Sequence, residues 1–333
     1  PAFAKEPTVK TLVPTVVGYA KEGILDGILP DDSPIHFGEV AQRYRLHLRM
    51  VRPLSAGVIR DKAAARDFAL HLRELISEHH EGETRAVIGV PARADMTARE
   101  NVRDALTGVF DKVILIPEPF LAALGYRDES QLGAADYVDP VVNSLFIDIG
   151  GGSTDLCVVQ GYYPQADDQI SIPFAGDAID EMIAAELQQV YPDNGLSPDK
   201  IRKLKEQHSY VGTDLRQLTV DANIGGKLRK LDIGEPVGNA CNALLDRIFS
   251  AVKALIAKAE TDSIPDLLQN IIVTGGGAGI DQLGEQLEQR LVAEGFDAPK
   301  VRVVGDDYKE YVARGALKAA RHARERQWQK LIG

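Results

Sequence analysis

The sequence predicts an α/β fold, and three observations support this prediction. Apolar segments of strand length alternate along the chain with segments whose apolar residues recur at helical spacing. Two of the predicted strands run directly into glycine-rich turns, as strands do where a sheet binds ligands. At 333 residues the chain exceeds the size that one hydrophobic core usually serves, so we expect two packed domains.

Each predicted element follows from the pattern of its side chains. The predicted strands are residues 10–18, 85–91, 112–116, 143–149, 154–160, 168–173, 270–275 and 300–304. The predicted helices are residues 62–78, 97–109, 198–208 and 237–260. The first helix has one apolar stripe, and the second opens with a capping box from Thr97 to Glu100. In the third, Ser197 is the expected N-cap and Pro198 the first helical residue.

The composition is that of a globular protein without a nucleic-acid-binding surface. Apolar residues make up 44% of the chain and charged residues 26%. The net charge of −11 argues against nucleic acid as a partner, since that would require clustered excess Lys and Arg. Only two cysteines occur, both in apolar segments, which predicts reduced thiols and a cytoplasmic location. No apolar run approaches the roughly 18 residues that an integral membrane segment needs.

The most informative motif is a glycine-rich hairpin that follows the strand 143–149. Asp148 stands at the end of that strand, where its carboxylate can hold a hydrated Mg²⁺. The turn that follows can bind phosphate through inward-pointing N–H groups and through two hydroxyls. Its residues are Gly150, Gly151, Gly152, Ser153 and Thr154. An ordinary glycine-rich hairpin without a ligand remains the alternative interpretation.

A second strand, 270–275, ends in the cluster Gly275, Gly276 and Gly277. Such a turn offers a flat floor, free of side chains, on which a planar adenosine can rest. It is neither a Walker loop nor a dinucleotide-binding fingerprint, because the required spacing is absent. Two glycine clusters at strand ends together indicate a ligand site more strongly than either alone.

A third motif joins the strand 112–116 to a helix of small residues. Glu118 lies at this junction, where it could orient a water for attack on a phosphate. The alternative is that its carboxylate simply stabilises the helix N-terminus. Ala122, Ala123 and Gly125 follow, and they suit a close crossing with another helix. A matching small-residue stretch lies at 311–320.

In this order the motifs resemble the actin/sugar-kinase/heat-shock-ATPase superfamily. Residues 147–155 resemble its second phosphate loop, 271–280 (including Ile280) its adenosine motif, and 117–126 and 311–320 its two connecting helices. Within the superfamily the chain is similar to bacterial actins, through residues 52–59 among others. Residues 16–19, 86–94 and 268–271 also resemble the actins of magnetosome filaments.

The resemblance implies an actin-like fold: two domains, each with a mixed β-sheet flanked by helices, and a nucleotide cleft between them. The first domain would comprise 1–141 plus 312–333, with a small subdomain at about 19–56. The second would comprise 142–311, with a small helical subdomain at about 177–236. It further implies that Lys205 and Glu206 contact the nucleoside, and that Gly176, Asp177 and Asp180 begin the helix facing the nucleotide.

The function implied by this resemblance is a cytoskeletal ATPase that polymerises into filaments and organises or positions magnetosomes. ATP or ADP with Mg²⁺ would be the cofactors, with Asp148 and Glu118 as catalytic residues. The partners would be further copies of the chain and magnetosome-associated or other filament-binding proteins. A cell-shape-determining or plasmid-segregating bacterial actin is one alternative. A non-polymerising module whose conformation depends on nucleotide is another.

One superfamily motif has no counterpart in this sequence. The first phosphate loop, of D-x-G-T type, is not found, and residues 10–18 resemble the strands that come after it. We expect the sequence to lack the first strands of the fold, because a sheet without them would keep an unfilled edge. The alternative is that the protein has lost this loop, and with it half of the superfamily's phosphate contacts.

Overall fold

The structure is a computed structural model that describes residues 12–55, 57–77, 82–224, 226–305 and 307–331. Its strands are β1 (Val17–Ala20), β2 (Ile35–Phe37), β3 (Leu48–Val51), β4 (Leu54–Ser55), β5 (Val58–Ile59), β6 (Arg85–Val90), β7 (Lys112–Pro117), β8 (Ser144–Ile149), β9 (Thr154–Val159), β10 (Gln169–Ile172), β11 (Thr219–Ile224), β12 (Lys227–Asp232), β13 (Ile271–Thr274), β14 (Val301–Val303) and β15 (Gln329–Lys330). Its α-helices are α1 (Gly38–Arg43), α2 (Lys62–Ser77), α3 (Met96–Leu106), α4 (Glu118–Tyr126), α5 (Gly176–Val190), α6 (Pro198–His208), α7 (Gly234–Ile256), α8 (Ile264–Leu268), α9 (Leu283–Ala293) and α10 (Tyr308–His322). The predicted α/β class is confirmed.

The chain divides into two compact units. The first consists of Pro1–Val90, Ala94–Ile116 and Ala316–Gly333, and the second of Pro91–Arg93 and Pro117–Gly315. The sequence placed residues 117–141 in the first domain, whereas the contacts between residues place them in the second unit. The reason is that α4 packs against β8 and β9 of the second unit.

The first unit contains three small sheets. In one, β1 lies between β2 and β3 and is antiparallel to both. In another, β7 lies between β6 and β15, and β15 runs antiparallel to it. The third is the hairpin of β4 and β5. Trp328, just before β15, is buried within this unit, and the guanidinium of Arg85 lies 5.2 Å from its ring centre.

Two predicted boundaries in the first unit differ from the structure. The strand predicted at 10–18 begins at Val17, because Pro14 has no N–H for a sheet and its carbonyl instead accepts from Val16 in a turn. Residues 10 and 11 lie outside the described part of the chain. The capping box predicted at Thr97 is replaced by Asp95, whose side chain accepts from the N–H of Ala98.

The N-cap predicted at Ser197, in the second unit, is confirmed.

The second unit is built on a mixed five-stranded sheet. Its strand order is β10-β9-β8-β13-β14, in which β8, β9 and β10 are antiparallel neighbours. Strand β13 runs parallel to both β8 and β14. Because β8 and β13 are parallel, Ile149 at the end of one and Thr274 at the end of the other reach the same edge of the sheet.

Both faces of this sheet are covered, so its strands are apolar on both sides. Side chains at alternate positions, such as Ile147 and Val273, join a large core with α5, α7 and α9. The intervening side chains, such as Phe146 and Ile272, face a smaller cluster that includes Ala122 of α4. We call this second surface the α4 face of the sheet.

The subdomain predicted at about 177–236 is not purely helical. Helices α5 and α6 are followed by the hairpin of β11 and β12, in a segment for which the sequence predicted no strands. Burial alternates along β11, with Ala222 and Ile224 inside and Asp221 and Asn223 outside. This period of two, partly hidden by charged residues, is the reason that the segment pairs as a hairpin.

Two glycines allow α4 and α10 to cross closely, as the small residues predicted. A Cβ atom at Gly125 would lie 1.9 Å from the carbonyl oxygen of Tyr311, and one at Gly315 would lie 1.9 Å from that of Leu121. No side chain larger than hydrogen therefore fits at either position while the helices keep this separation.

Candidate functional site

The candidate site begins with two carboxylates that face each other across the β8–β9 hairpin. Asp148 and Asp155 are direct partners in the antiparallel register. Asp155 is buried, and its carboxylate accepts from the N–H of Ala92 at 3.1 Å and from the hydroxyl of Ser153 at 2.7 Å. These two donors hold the Asp155 carboxylate in place. Two acidic side chains thus lie side by side where β8 ends and β9 begins.

Glu118 is the third carboxylate of the site. It is the first residue of α4, and Pro117 and Pro119 on either side of it set the abrupt change from strand to helix. Helix α4 packs through Ala122 and Ala123 on the α4 face of the sheet, the face that also carries Asp148. Glu118 and Asp148 therefore share one low-dielectric environment.

The pKa values of these acids show how unfavourable their charges are without a cation. Burial, with the nearby charges of Asp148 and then Asp155, raises the pKa of Glu118 to about 8. Burial, with the charge of Asp155, raises the pKa of Asp148 to about 7. A divalent cation would neutralise this negative charge, and so the chemistry of the site suits one.

The cation would be held through water. Among the described residues, no group of three or more His, Cys, Asp or Glu side chains is arranged to ligate a metal ion directly. Mg²⁺ commonly keeps several of its waters and uses only one or two protein carboxylates. Asp148 is the residue that the sequence analysis assigned to such a contact, and that assignment stays a prediction. The sequence analysis did not identify Asp155 as its neighbour.

The two glycine-rich turns meet at Asp148. Gly275 has φ of +87°, and a Cβ there would lie 2.4 Å from Asp148 Oδ1 and from the carbonyl oxygen of Ile149. A Cβ at Gly277 would lie 2.1 Å from the side chain of Ile149. The second turn therefore has to be glycine-rich in order to pack against the first.

The first turn has free backbone donors. The N–H groups of Gly151, Gly152 and Ser153 have no acceptor within the ranges of the chain that the structure describes. Consecutive unpaired N–H groups of this kind form a concavity that can bind an anion. The N–H of Gly150 is already used, since it donates to Ser153 O at 3.0 Å.

The two hydroxyls of this turn differ from the prediction. Ser153 donates to Asp155, and Thr154, which is fully buried, donates to the carbonyl oxygen of Phe174 at 2.8 Å. Both hydroxyl protons are therefore engaged within the protein, so a phosphate would have to displace these bonds to receive them. The unpaired backbone N–H groups are therefore the donors of this turn that an anion could engage without displacing an internal hydrogen bond.

The start of α5 rests on the first turn. Gly176 N donates to Gly150 O at 3.2 Å, and Asp177 N donates to Gly151 O at 2.7 Å. A Cβ at Gly176 would lie 3.2 Å from Lys205 Nζ. These contacts bring together Gly176, Asp177 and Lys205, three residues that the sequence grouped only by resemblance.

Lys205 ties α6 to the start of α5. Its ammonium donates to the carbonyl oxygen of Gly176 at 2.8 Å and pairs with Asp180 at 2.9 Å. Arg202, one helical turn earlier, pairs with Asp177 at 3.2 Å and with Asp180 at 3.3 Å. Arg202 is a further basic residue near the turn that the sequence analysis did not identify.

The remaining predicted residues have different surroundings. Glu206 is exposed on α6, whereas Ile280 is buried behind the second turn. Gly276 is exposed, and a Cβ there would lie 3.7 Å from the hydroxyl of Tyr308. The end of α6 connects to this turn through a bridge between Tyr210 and Asp281.

None of the helices in the described ranges combines the length and hydropathy needed to cross a membrane.

Comparisons with known proteins place this geometry among bacterial actins. The family described as MreB/Mbl protein matches residues 38–327. "Actin-like protein MamK" of Paramagnetospirillum magneticum AMB-1 is 29% identical over 327 residues, which cover 97% of this chain and 89% of that protein. "Cell shape-determining protein MreB" of Escherichia coli K12 is 26% identical over 82% of this chain and 76% of its own length.

Comparison with solved structures identifies the same kinds of protein as the sequence comparison. The structure titled "MamK double helical filament" superposes with a TM-score of 0.84 at 29% identity, covering 95% of this chain and 94% of the other. A non-polymerising MamK mutant bound to AMPPNP superposes with a TM-score of 0.66 at 29% identity, covering 93% and 92%. The chain is thus similar over nearly its whole length to proteins that form a filament and bind a nucleotide.

Proposed function

Because this chain belongs to the MreB/Mbl family of actin-like proteins, we propose that it binds ATP with Mg²⁺, hydrolyses it and polymerises into cytoskeletal filaments. The observation that carries the proposal is the meeting of two glycine-rich turns at Asp148, beside Asp155 and Glu118. The filament is supported by the similarity to the MamK filament structure. Magnetosomes are the proposed cargo, through the similarity to MamK.

In this proposal the chain's own residues hold the nucleotide from both glycine-rich turns. The unpaired N–H groups of Gly151, Gly152 and Ser153 donate to the phosphates. Gly275 to Gly277 form the floor for the nucleoside, with Lys205 and Glu206 beside it on α6. Asp148 holds the hydrated cation, which when bound neutralises phosphate charge.

Glu118 orients the attacking water in this proposal. Without a cation the pKa of Glu118 is about 8, and the positive charge of a bound cation would favour the carboxylate form, which can accept a proton from water. Positioning supplies most of the rate in phosphoryl transfer, so small changes in the surroundings of Glu118 control turnover. We therefore propose slow hydrolysis in the free protein and faster hydrolysis in the filament.

Equilibrium binding of ATP, with and without Mg²⁺, tests the nucleotide part of the proposal. We expect saturable ATP binding that Mg²⁺ strengthens, and we expect Asp148→Asn to remove most of that strengthening. Asp262→Asn, which changes an exposed aspartate far along the chain, is the matched control. Failure of the parent protein to bind ATP in either condition would contradict the proposal.

A non-polymerising nucleotide-dependent module is the second candidate. It shares the same nucleotide site and differs only in lacking self-assembly. Binding of ATP without any polymer at high protein concentration would favour it.

A further inference from the structure

Thr274, the last residue of β13, has a buried hydroxyl without a partner. The residue is 1% exposed, and its Oγ1 makes no hydrogen bond to any part of the chain that the structure describes. Leaving a buried polar group unpaired costs about 1–3 kcal/mol. Buried polar groups in native proteins are nearly always paired with protein, water or ligand. A partner outside the described part of the chain is therefore expected to contact this hydroxyl.

The strand register places Thr274 beside the two buried aspartates of the site. Thr274 pairs with Asp148 across β13 and β8, and Asp148 pairs with Asp155 across β8 and β9. Paired residues of neighbouring strands project on the same face of a sheet, as do residues two apart on one strand. Phe146 and Ile272, two residues before Asp148 and Thr274, lie on the α4 face. The hydroxyl and the two carboxylates therefore lie on one face of the sheet, in one row at its edge.

The residue after Thr274 supports this placement. Gly275 approaches Asp148 so closely that a Cβ would lie 2.4 Å from Oδ1. The end of β13 thus forms one wall of the pocket that holds the Asp148 carboxylate. A hydroxyl at this wall is within the region where the water shell of a cation bound to Asp148 would extend.

We propose that Thr274 is a positioning residue for the divalent cation: its Oγ1 accepts a hydrogen bond from a water in the cation's hydration shell. This inference rests on the proposed nucleotide site. A water bound to a cation directs its lone pair at the metal and can donate both protons. The ionised Asp148 offers only acceptors, and a threonine hydroxyl has two acceptor lone pairs. Thr274 and Asp148 therefore both offer acceptors to the protons of the waters bound to the cation.

The test compares two variants that differ in the hydroxyl. Thr274→Val keeps the branched shape and removes the hydroxyl, whereas Thr274→Ser keeps the hydroxyl and removes a methyl group. Binding of a fluorescent ADP analogue is measured against Mg²⁺ concentration and, separately, in EDTA. Thermal unfolding without nucleotide checks the fold of each variant.

We expect Thr274→Val to raise the half-saturating Mg²⁺ concentration about tenfold, as the loss of an outer-shell partner does at metal sites. Its nucleotide affinity in EDTA should equal that of the parent. Its melting temperature should not fall, since the substitution removes an unpaired hydroxyl. Thr274→Ser should follow the parent in its Mg²⁺ dependence.

Two results would overturn the inference while leaving the proposed function intact. One is an unchanged Mg²⁺ dependence in Thr274→Val, and the other is an equal loss of affinity with Mg²⁺ and in EDTA, which is the sign of a purely structural role. A parent protein that binds no nucleotide would overturn the proposed function, and this inference with it.

Discussion

Asp148 and Asp155 lie directly opposite each other on neighbouring strands, with Glu118 in the same electrostatic environment. Like charges placed opposite each other across a sheet destabilise it. Burial and mutual proximity accordingly disfavour the ionised forms of Glu118 and Asp148 and raise their pKa values. Such an arrangement is typical of functional sites, where pKa values are displaced from their ordinary range.

The first prediction concerns the pH dependence of stability. The folded-state pKa values of Glu118 and Asp148, about 8 and about 7, lie above those of an unfolded chain. Between about pH 4 and pH 8 the folded state therefore binds more protons, and this contribution to stability is lost as pH rises. Glu118→Gln should be more stable than the parent by ~4 kcal/mol near pH 8 and little different near pH 4.

Denaturant unfolding in EDTA across this pH range measures the difference. Glu285→Gln, at an exposed position in the first turn of α9, is the control and should track the parent. Parallel stability profiles for Glu118→Gln and the parent would show that the raised pKa is not present.

A second prediction concerns hydrolysis. Glu118→Ala should leave ATP binding intact and reduce phosphate release by about a hundredfold, because it removes the group that orients water. The variant should also assemble with ATP and disassemble slowly. Phosphate release is measured in single-turnover experiments, with Glu285→Ala as the control. Hydrolysis at the parental rate would rule out this role for Glu118.

A third prediction concerns Lys205. Its side chain is largely buried with that of Asp180, and removing one partner of such a pair typically costs about 3–5 kcal/mol. Lys205→Met should therefore lower the free energy of unfolding and weaken nucleotide binding. Lys203→Met, at an exposed position in the same helix, should do neither. Equal nucleotide affinities of the two variants would contradict the placement of Lys205 at the site.

A fourth prediction concerns the crossing of α4 and α10. Gly315→Ala places a methyl group 1.9 Å from the carbonyl oxygen of Leu121, and helix backbone has to move to relieve the contact. We expect a loss of about 3 kcal/mol in the free energy of unfolding. Gly305→Ala, where no atom of the described residues lies within 4 Å of the added methyl, should change it by less than about 0.5 kcal/mol. Equal stabilities of the two variants would refute the close crossing.

The sequence predicted those parts of the site that depend on local signals. Asp148 and Glu118 stand at ends of apolar strands, and Gly275 to Gly277 follow another. The end of a strand and a glycine-rich turn can each be predicted from a few consecutive residues. The same holds for the small residues at the α4–α10 crossing.

The parts that escaped prediction depend on register and on distant contacts. Asp155 becomes a neighbour of Asp148 only in the observed pairing, and a shift of one residue would turn it to the other face. Among the residues that the structure covers, Thr274 Oγ1 has no hydrogen-bond partner, and this depends on its surroundings in three dimensions. The hydroxyl of Thr154 donates to the carbonyl oxygen of Phe174, which follows β10 and lies 20 residues later in the sequence.

Direct imaging of assembly tests the central claim, that this is a nucleotide-dependent filament-forming actin. Purified protein is incubated with ATP and Mg²⁺, with ATP in EDTA, or without nucleotide, and viewed by negative-stain electron microscopy. The Asp148→Asn variant is treated identically. We expect filaments of the parent with ATP and Mg²⁺ alone, and none of Asp148→Asn. Absence of filaments in every condition, or filaments that form equally without nucleotide, would contradict the claim.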